Sequence, residues 1–193
     1  VTSIGGYSFA YCSSLKTVTF ASGNLLDSIG NYAFQQTGLT TISLPASVTT
    51  IGTYAFKFCN SLKTVTFASG SLLGSIGNSA FQQSGLTTIS LPANVTSMGT
   101  YAFFGCSALT NVTFASGSTL ESIGNYAFQQ SGLTTISLPA SVTSMRIQAF
   151  QYCSSLKTVT FASGSTLGSI SQSAFYESGL TTISLPANVT SMG

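Results

Sequence analysis

Apolar residues return along this chain on a fixed schedule. An isoleucine or methionine is followed five residues later by a phenylalanine, and then by a Leu-x-x-[Val/Ile]-x-[Phe/Leu] run. The opening residues of these units are Ile4, Ile29, Ile51, Ile76, Met98, Ile123, Met145, Ile170 and Met192, with spacings that alternate 25 and 22. Two units therefore make a 47-residue repeat, seen at 28–74, 75–121 and 122–168. The long units read Leu15-x-x-Val18-x-Phe20, and likewise from Leu62, Leu109 and Leu156. The short units read Leu39-x-x-Ile42-x-Leu44, and likewise from Leu86, Leu133 and Leu180. Alternation of this kind, rich in Val, Ile and Thr, predicts a half-buried strand with a polar outer face.

The units differ in how they leave the strand. Short units place Pro45, Pro92, Pro139 and Pro186 there, the four prolines of the chain. Proline fixes φ and has no N–H to donate, so it ends a ladder. Long units use Ala-Ser-Gly, ending at Gly23, Gly70, Gly117 and Gly164. No unit can bury its own apolar face, but stacked units can share one. The period and the leucine spacing predict a β-rich solenoid of leucine-rich repeat type, eight coils in one domain over 1–193. The Phe9, Phe34, Phe56, Phe81, Phe103, Phe128, Phe150 and Phe175 series is expected to be an inward ladder. The sequence starts and stops inside a repeat, which reads as part of a longer array or as a unit that stacks end to end.

Segments such as LPASVTTIGTYAFKFCNSLKTVTF resemble the BspA-like leucine-rich repeats, and the resemblance covers the whole chain. It implies a right-handed solenoid with a parallel sheet on one face and turns or short strands on the other. It also implies a secreted or cell-surface protein engaged in adhesion. The chain departs from the family pattern in having proline only in short coils and few charges in its turns.

Composition narrows the chemistry. Charged residues are 4% of the chain, against roughly 25% in an ordinary globular protein. Five basic residues and a net charge of +2 make no phosphate-tracking stripe, so nucleic acid is an unsuitable partner. No apolar run reaches the ~18–20 residues that span a bilayer. The chain has no histidine, and Asp27, Glu121 and Glu177 form no close pair by strand counting. Hydrolase chemistry, a metal site and a cofactor are therefore not expected, and the reading is non-enzymatic. Cys12, Cys59, Cys106 and Cys153 recur every 47 residues, about 10 Å apart by strand spacing. That is too far for a disulfide, so four free, buried thiols are expected.

The outward strand face is the candidate binding surface. It carries Thr17 and Thr19, Thr41 and Ser43, Thr64 and Thr66, Thr88 and Ser90, Asn111 and Thr113, Thr135 and Ser137, Thr158 and Thr160, and Thr182 and Ser184. Each pair flanks an inward Val or Ile, which predicts a two-column hydroxyl ladder across eight strands. Three functions use such a face: binding of a host or cell-surface protein or glycan, self-assembly into a fibre or surface layer, and ice binding through the T-x-T ladder. The plainest alternative is that Thr is simply a good strand residue. The Gln pairs at 35–36, 82–83 and 129–130 are expected to form amide ladders on the far face. Sequons at Asn94, Asn111 and Asn188 are possible glycosylation sites of an exported chain.

Overall fold

The computed structural model describes residues 1–193. It is an all-parallel β-solenoid built from 15 short strands. Two strips of strand enclose one core. The first strip is made by the Ile/Met residues that open each coil. Dipeptide strands from Ser3–Ile4 and Ser28–Ile29 through to Ser191–Met192 pair in sequence order into one nine-stranded sheet. Isoleucine or methionine is buried and Ser or Thr faces outward at each step but the last, where Met192 is exposed.

The second strip carries the four-residue strands. These are Thr41–Leu44, Thr64–Phe67, Thr88–Leu91, Asn111–Phe114, Thr135–Leu138 and Thr158–Phe161. Their burial alternates as the sequence pattern requires, with Ile42, Val65, Ile89, Val112, Ile136 and Val159 buried between exposed or half-buried neighbours. The strip divides into a four-stranded and a two-stranded sheet, where a single eight-strand ladder was expected.

The core is one cluster of 46 buried residues. Its spine is the phenylalanine series, stacked from Phe9 to Phe175 at centroid spacings of 5.2–5.5 Å. Six of these rings are fully buried, and the end members Phe9 and Phe175 are partly open. Offset rings at this separation gain from stacking as well as from burial. No buried side-chain N or O lacks a hydrogen-bond partner.

Tight turns link the two strips. Each holds two residues in the left-handed region, such as Tyr32 at φ 59° and Gln36 at φ 54°. The non-glycine residues there bear a conformational cost. In return the turn alternates its N–H groups. Those of Tyr32, Phe34 and Gln36 donate to the next coil, while those of Ala33, Gln35 and Thr37 donate locally, three residues back. No helix is long and apolar enough to cross a membrane.

Candidate binding surface on the strand face

The Thr and Ser positions of the sequence pattern all lie on the outer side of the four-residue strip or of its continuation in the end coils. Each is exposed except Thr64, which is half-buried. Asn111 takes the place of a hydroxyl in its strand, as its register with Thr88 shows. One cross-strand bond links the hydroxyls, from Thr66 Oγ1 to Ser43 Oγ at 2.8 Å. The rest of the face makes few bonds within the chain.

The strands that carry these columns meet at two kinds of coil junction, which alternate. Where a short coil is followed by a long one, the strands pair over four residues. This holds for Thr41–Leu44 with Thr64–Phe67, for Thr88–Leu91 with Asn111–Phe114, and for Thr135–Leu138 with Thr158–Phe161. Where a long coil is followed by a short one, Thr64–Phe67 pairs with Thr88–Leu91 at only two residues. Asn111–Phe114 and Thr135–Leu138 share no ladder at all.

A backbone donor explains the alternation. In zipped junctions the alanine after the long-coil phenylalanine donates to the short-coil leucine: Ala68 to Leu44, Ala115 to Leu91 and Ala162 to Leu138, each at 3.0 Å. The residue in the equivalent place of a short coil is Pro45, Pro92, Pro139 or Pro186, which has no N–H to give. The open junctions are held at their ends instead. Gly85 lies so close under the long coil that a Cβ there would sit 2.0 Å from the Asn60 carbonyl oxygen, and Gly38, Gly132 and Gly179 are similar. At the other end Asn94 Nδ2 donates to the Ser71 carbonyl at 2.8 Å, and Asn188 Nδ2 to Ser165 at 2.9 Å. Ser47 and Ser141 hydroxyls make the same bridge, to Leu26 and Leu120. Two of the three sequon asparagines thus staple the fold, and only Asn111 stands on the strand face.

The cysteines belong to the zipped junctions. Cys59, Cys106 and Cys153 are buried, and their thiols donate to the Phe34, Phe81 and Phe128 carbonyls of the preceding short coil at 2.9–3.0 Å. Burial pushes the Cys106 thiol up to about 11, and raises Cys59 and Cys153 in the same way. Cys12, in the first coil of the structure, is exposed where a buried thiol was expected. All four are free. No three metal-ligating side chains come together.

On the turn side, a tyrosine row escaped the sequence reading. Tyr7, Tyr32 and Tyr54 stack at 4.4 and 4.8 Å, and Tyr101 and Tyr126 at 4.6 Å. Lys57 Nζ sits 4.7 Å from the centroids of both Tyr54 and Phe58. The signal was present as a tyrosine three residues after the opening Ile or Met. The glutamine ladder is limited: Gln35 and Gln129 are buried, and Gln129 donates its amide to Gln151.

Fold and surface together define a leucine-rich repeat protein whose outer strand face is uncharged and largely unbonded. The family model described as BspA type leucine rich repeat region matches in six copies, over residues 1–74 and 74–193. The chain belongs to the BspA-type leucine-rich repeat family. No curated protein matches it in sequence. Among solved structures, a leucine-rich repeat protein from Bacteroides ovatus is 23% identical with a TM-score of 0.67, covering 100% of this chain and 66% of its own. The pneumococcal vaccine antigen PcpA is 22% identical with a TM-score of 0.67, covering 98% of this chain and 57% of its own. A leucine-rich cell surface protein from Faecalibacterium prausnitzii is 25% identical with a TM-score of 0.50, covering 98% and 72%. The chain thus spans less than two thirds of the first two relatives.

Proposed function

We propose that this chain is a non-enzymatic extracellular or cell-surface interaction module that binds a partner protein or glycan through its outward strand face. The observation that carries the reading is the face itself. Of its sixteen Thr, Ser and Asn side chains, every one but Thr64 is exposed, and none is charged. They are mounted on a stacked core that fixes their positions. Repeat solenoids use such continuous sheet faces as binding surfaces. Membership in the BspA-type family supports an adhesive role, and the cell-surface relative from F. prausnitzii supports the location.

Thr64→Lys combined with Thr66→Lys puts two ammonium groups in the middle of the face without touching the core. Binding to a host matrix preparation should then be abolished, as measured by surface plasmon resonance. Unchanged binding would move the site elsewhere. The alternating junctions count against ice binding, because the ladder that would hold the hydroxyls in one regular array is shortened or missing at alternate junctions.

A further inference from the structure

Three of the open junctions are also clefts of the same kind. One lies between Phe20–Asn24 and Ser43–Ser47, one between Val65–Ser71 and Ser90–Asn94, and one between Thr158–Ser165 and Thr182–Asn188. Their volumes are about 650, 520 and 560 Å³. Each has a similar make: half-buried phenylalanine such as Phe67 (two of them, Phe20 and Phe67, in the first cleft), a Leu-Pro pair such as Leu91 and Pro92, small residues, and a rim of Ser and Thr hydroxyls. No charged side chain lines any of the three.

We propose that these clefts are tandem subsites for a neutral, extended β-linked glycan. The proposal rests on the strand-face reading and gives that face its ligand class. Four features point this way. The uncharged lining offers nothing to anionic polymers or phosphates. A sugar ring presents an apolar C–H face and a hydroxyl rim, which matches a phenylalanine and proline floor edged by Ser and Thr. The proline leaves the neighbouring long strand without its ladder donor, so backbone carbonyls there are open to donors, and sugar hydroxyls are donors. Finally, core rings follow one another at 5.2–5.3 Å, so open junctions recur about every 10 Å, twice the strand spacing; the first two clefts lie one such step apart and the third two steps further on. In an extended β-1,4 chain alternate sugars turn over, so the same ring face returns once per disaccharide, a repeat of comparable length. A proline-rich peptide in the polyproline II form has a similar pitch, about 9 Å, but its prolines bring no N–H donors.

The test uses cello-oligosaccharides and β-1,4-manno-oligosaccharides of two to eight sugars, titrated calorimetrically into the full chain. Affinity should climb in steps, by about fivefold for each disaccharide that reaches another cleft, with little gain from an odd sugar. Filling the clefts with Ala21→Leu, Ala68→Leu and Ala162→Leu together should weaken the longest oligosaccharides roughly tenfold or more, the loss of at least one ordinary hot-spot contact. Unchanged circular dichroism and melting temperature would show that the variant is folded. As a second route, Pro45→Ala, Pro92→Ala and Pro186→Ala restore the missing donors and should weaken binding in the same way by closing the clefts.

Absence of oligosaccharide binding at millimolar concentration overturns the proposal, as does binding that ignores both sets of variants. Binding of a proline-rich peptide, lost on filling the clefts, would also overturn the glycan class. If matrix binding is lost with Thr64→Lys and Thr66→Lys while no sugar binds, the clefts fall and the strand-face reading stands. If neither partner binds, both fall.

Discussion

On either side of Thr64–Phe67 the same strand meets two different neighbours. Toward Thr41–Leu44 it pairs over four residues, Ala68 adds a further bond to Leu44, and the Cys59 thiol is tied to the Phe34 carbonyl. Toward Thr88–Leu91 it pairs over two residues, is pinched at Gly85 and stapled at Asn94, and opens between them. Strand length and inward residues are nearly the same on both sides. The difference is alanine in one coil and proline in the other at the position after the strand. A single missing donor, worth about 1 kcal/mol as a net hydrogen bond, is small beside the burial of a phenylalanine. The core therefore passes through both junctions unchanged, with Phe34–Phe56 and Phe56–Phe81 each at 5.2 Å. Continuity of the fold and irregularity of the surface have separate causes, and the surface can be varied without risking the core.

The comparison can be broken most severely at the core. Phe56→Ala should cost about 3–5 kcal/mol in urea denaturation. Phe67→Ala, at the half-buried cleft wall, should cost about 1–2 kcal/mol, since less area returns to water. Because coils touch only their neighbours, hydrogen exchange should place the damage of Phe56→Ala in the coils around it. Equal costs for the two variants would deny that core and cleft are distinct.

At the pinch, Gly85→Ala drives a methyl against the Asn60 carbonyl and should cost about 1–3 kcal/mol. Ser61→Ala, at the matching place of a zipped junction, touches an exposed side chain and should stay within about 0.5 kcal/mol.

The thiols give a pH test. The Cys106 pKa is raised to about 11 in the fold, above the ~8.5 of an unfolded thiol. Between those values the unfolded chain has lost its proton and the native chain has kept it, so stability should fall as pH rises, by at most ~1.4 kcal/mol per pH unit per thiol. It should be fully present below about pH 8.5. Cys106→Ala should flatten that slope relative to the parent. At pH 8, a maleimide should label Cys12 quickly and the three buried thiols only on unfolding.

Much of this was legible beforehand. The 25 and 22 spacing, the inward Phe and Leu series and the outward hydroxyl pairs follow from patterns in which one residue type serves one face. The exposure of Cys12 was not, since burial there depends on a neighbouring coil and not on the residue. Proline was recognised as a residue that ends a ladder, but its effect on only one of the two junctions was missed. That effect needs the register, in which Pro92 answers to Ala68 and Ala115. The glycine before each short-coil leucine, at 38, 85, 132 and 179, was visible as a pattern, yet its reason is an approach between coils. The tyrosine row likewise needed the left-handed turn that brings its rings to 4.4–4.8 Å.

The claim that a missing donor opens alternate junctions is tested most directly by amide hydrogen exchange on Pro92→Ala, resolved by NMR. The account predicts that the amide introduced at position 92 is protected to the same order as those of Ala68 and Ala115, and that stability changes by no more than about 1 kcal/mol. An introduced amide that exchanges at the rate of an exposed loop, while Ala68 and Ala115 stay protected, would contradict it.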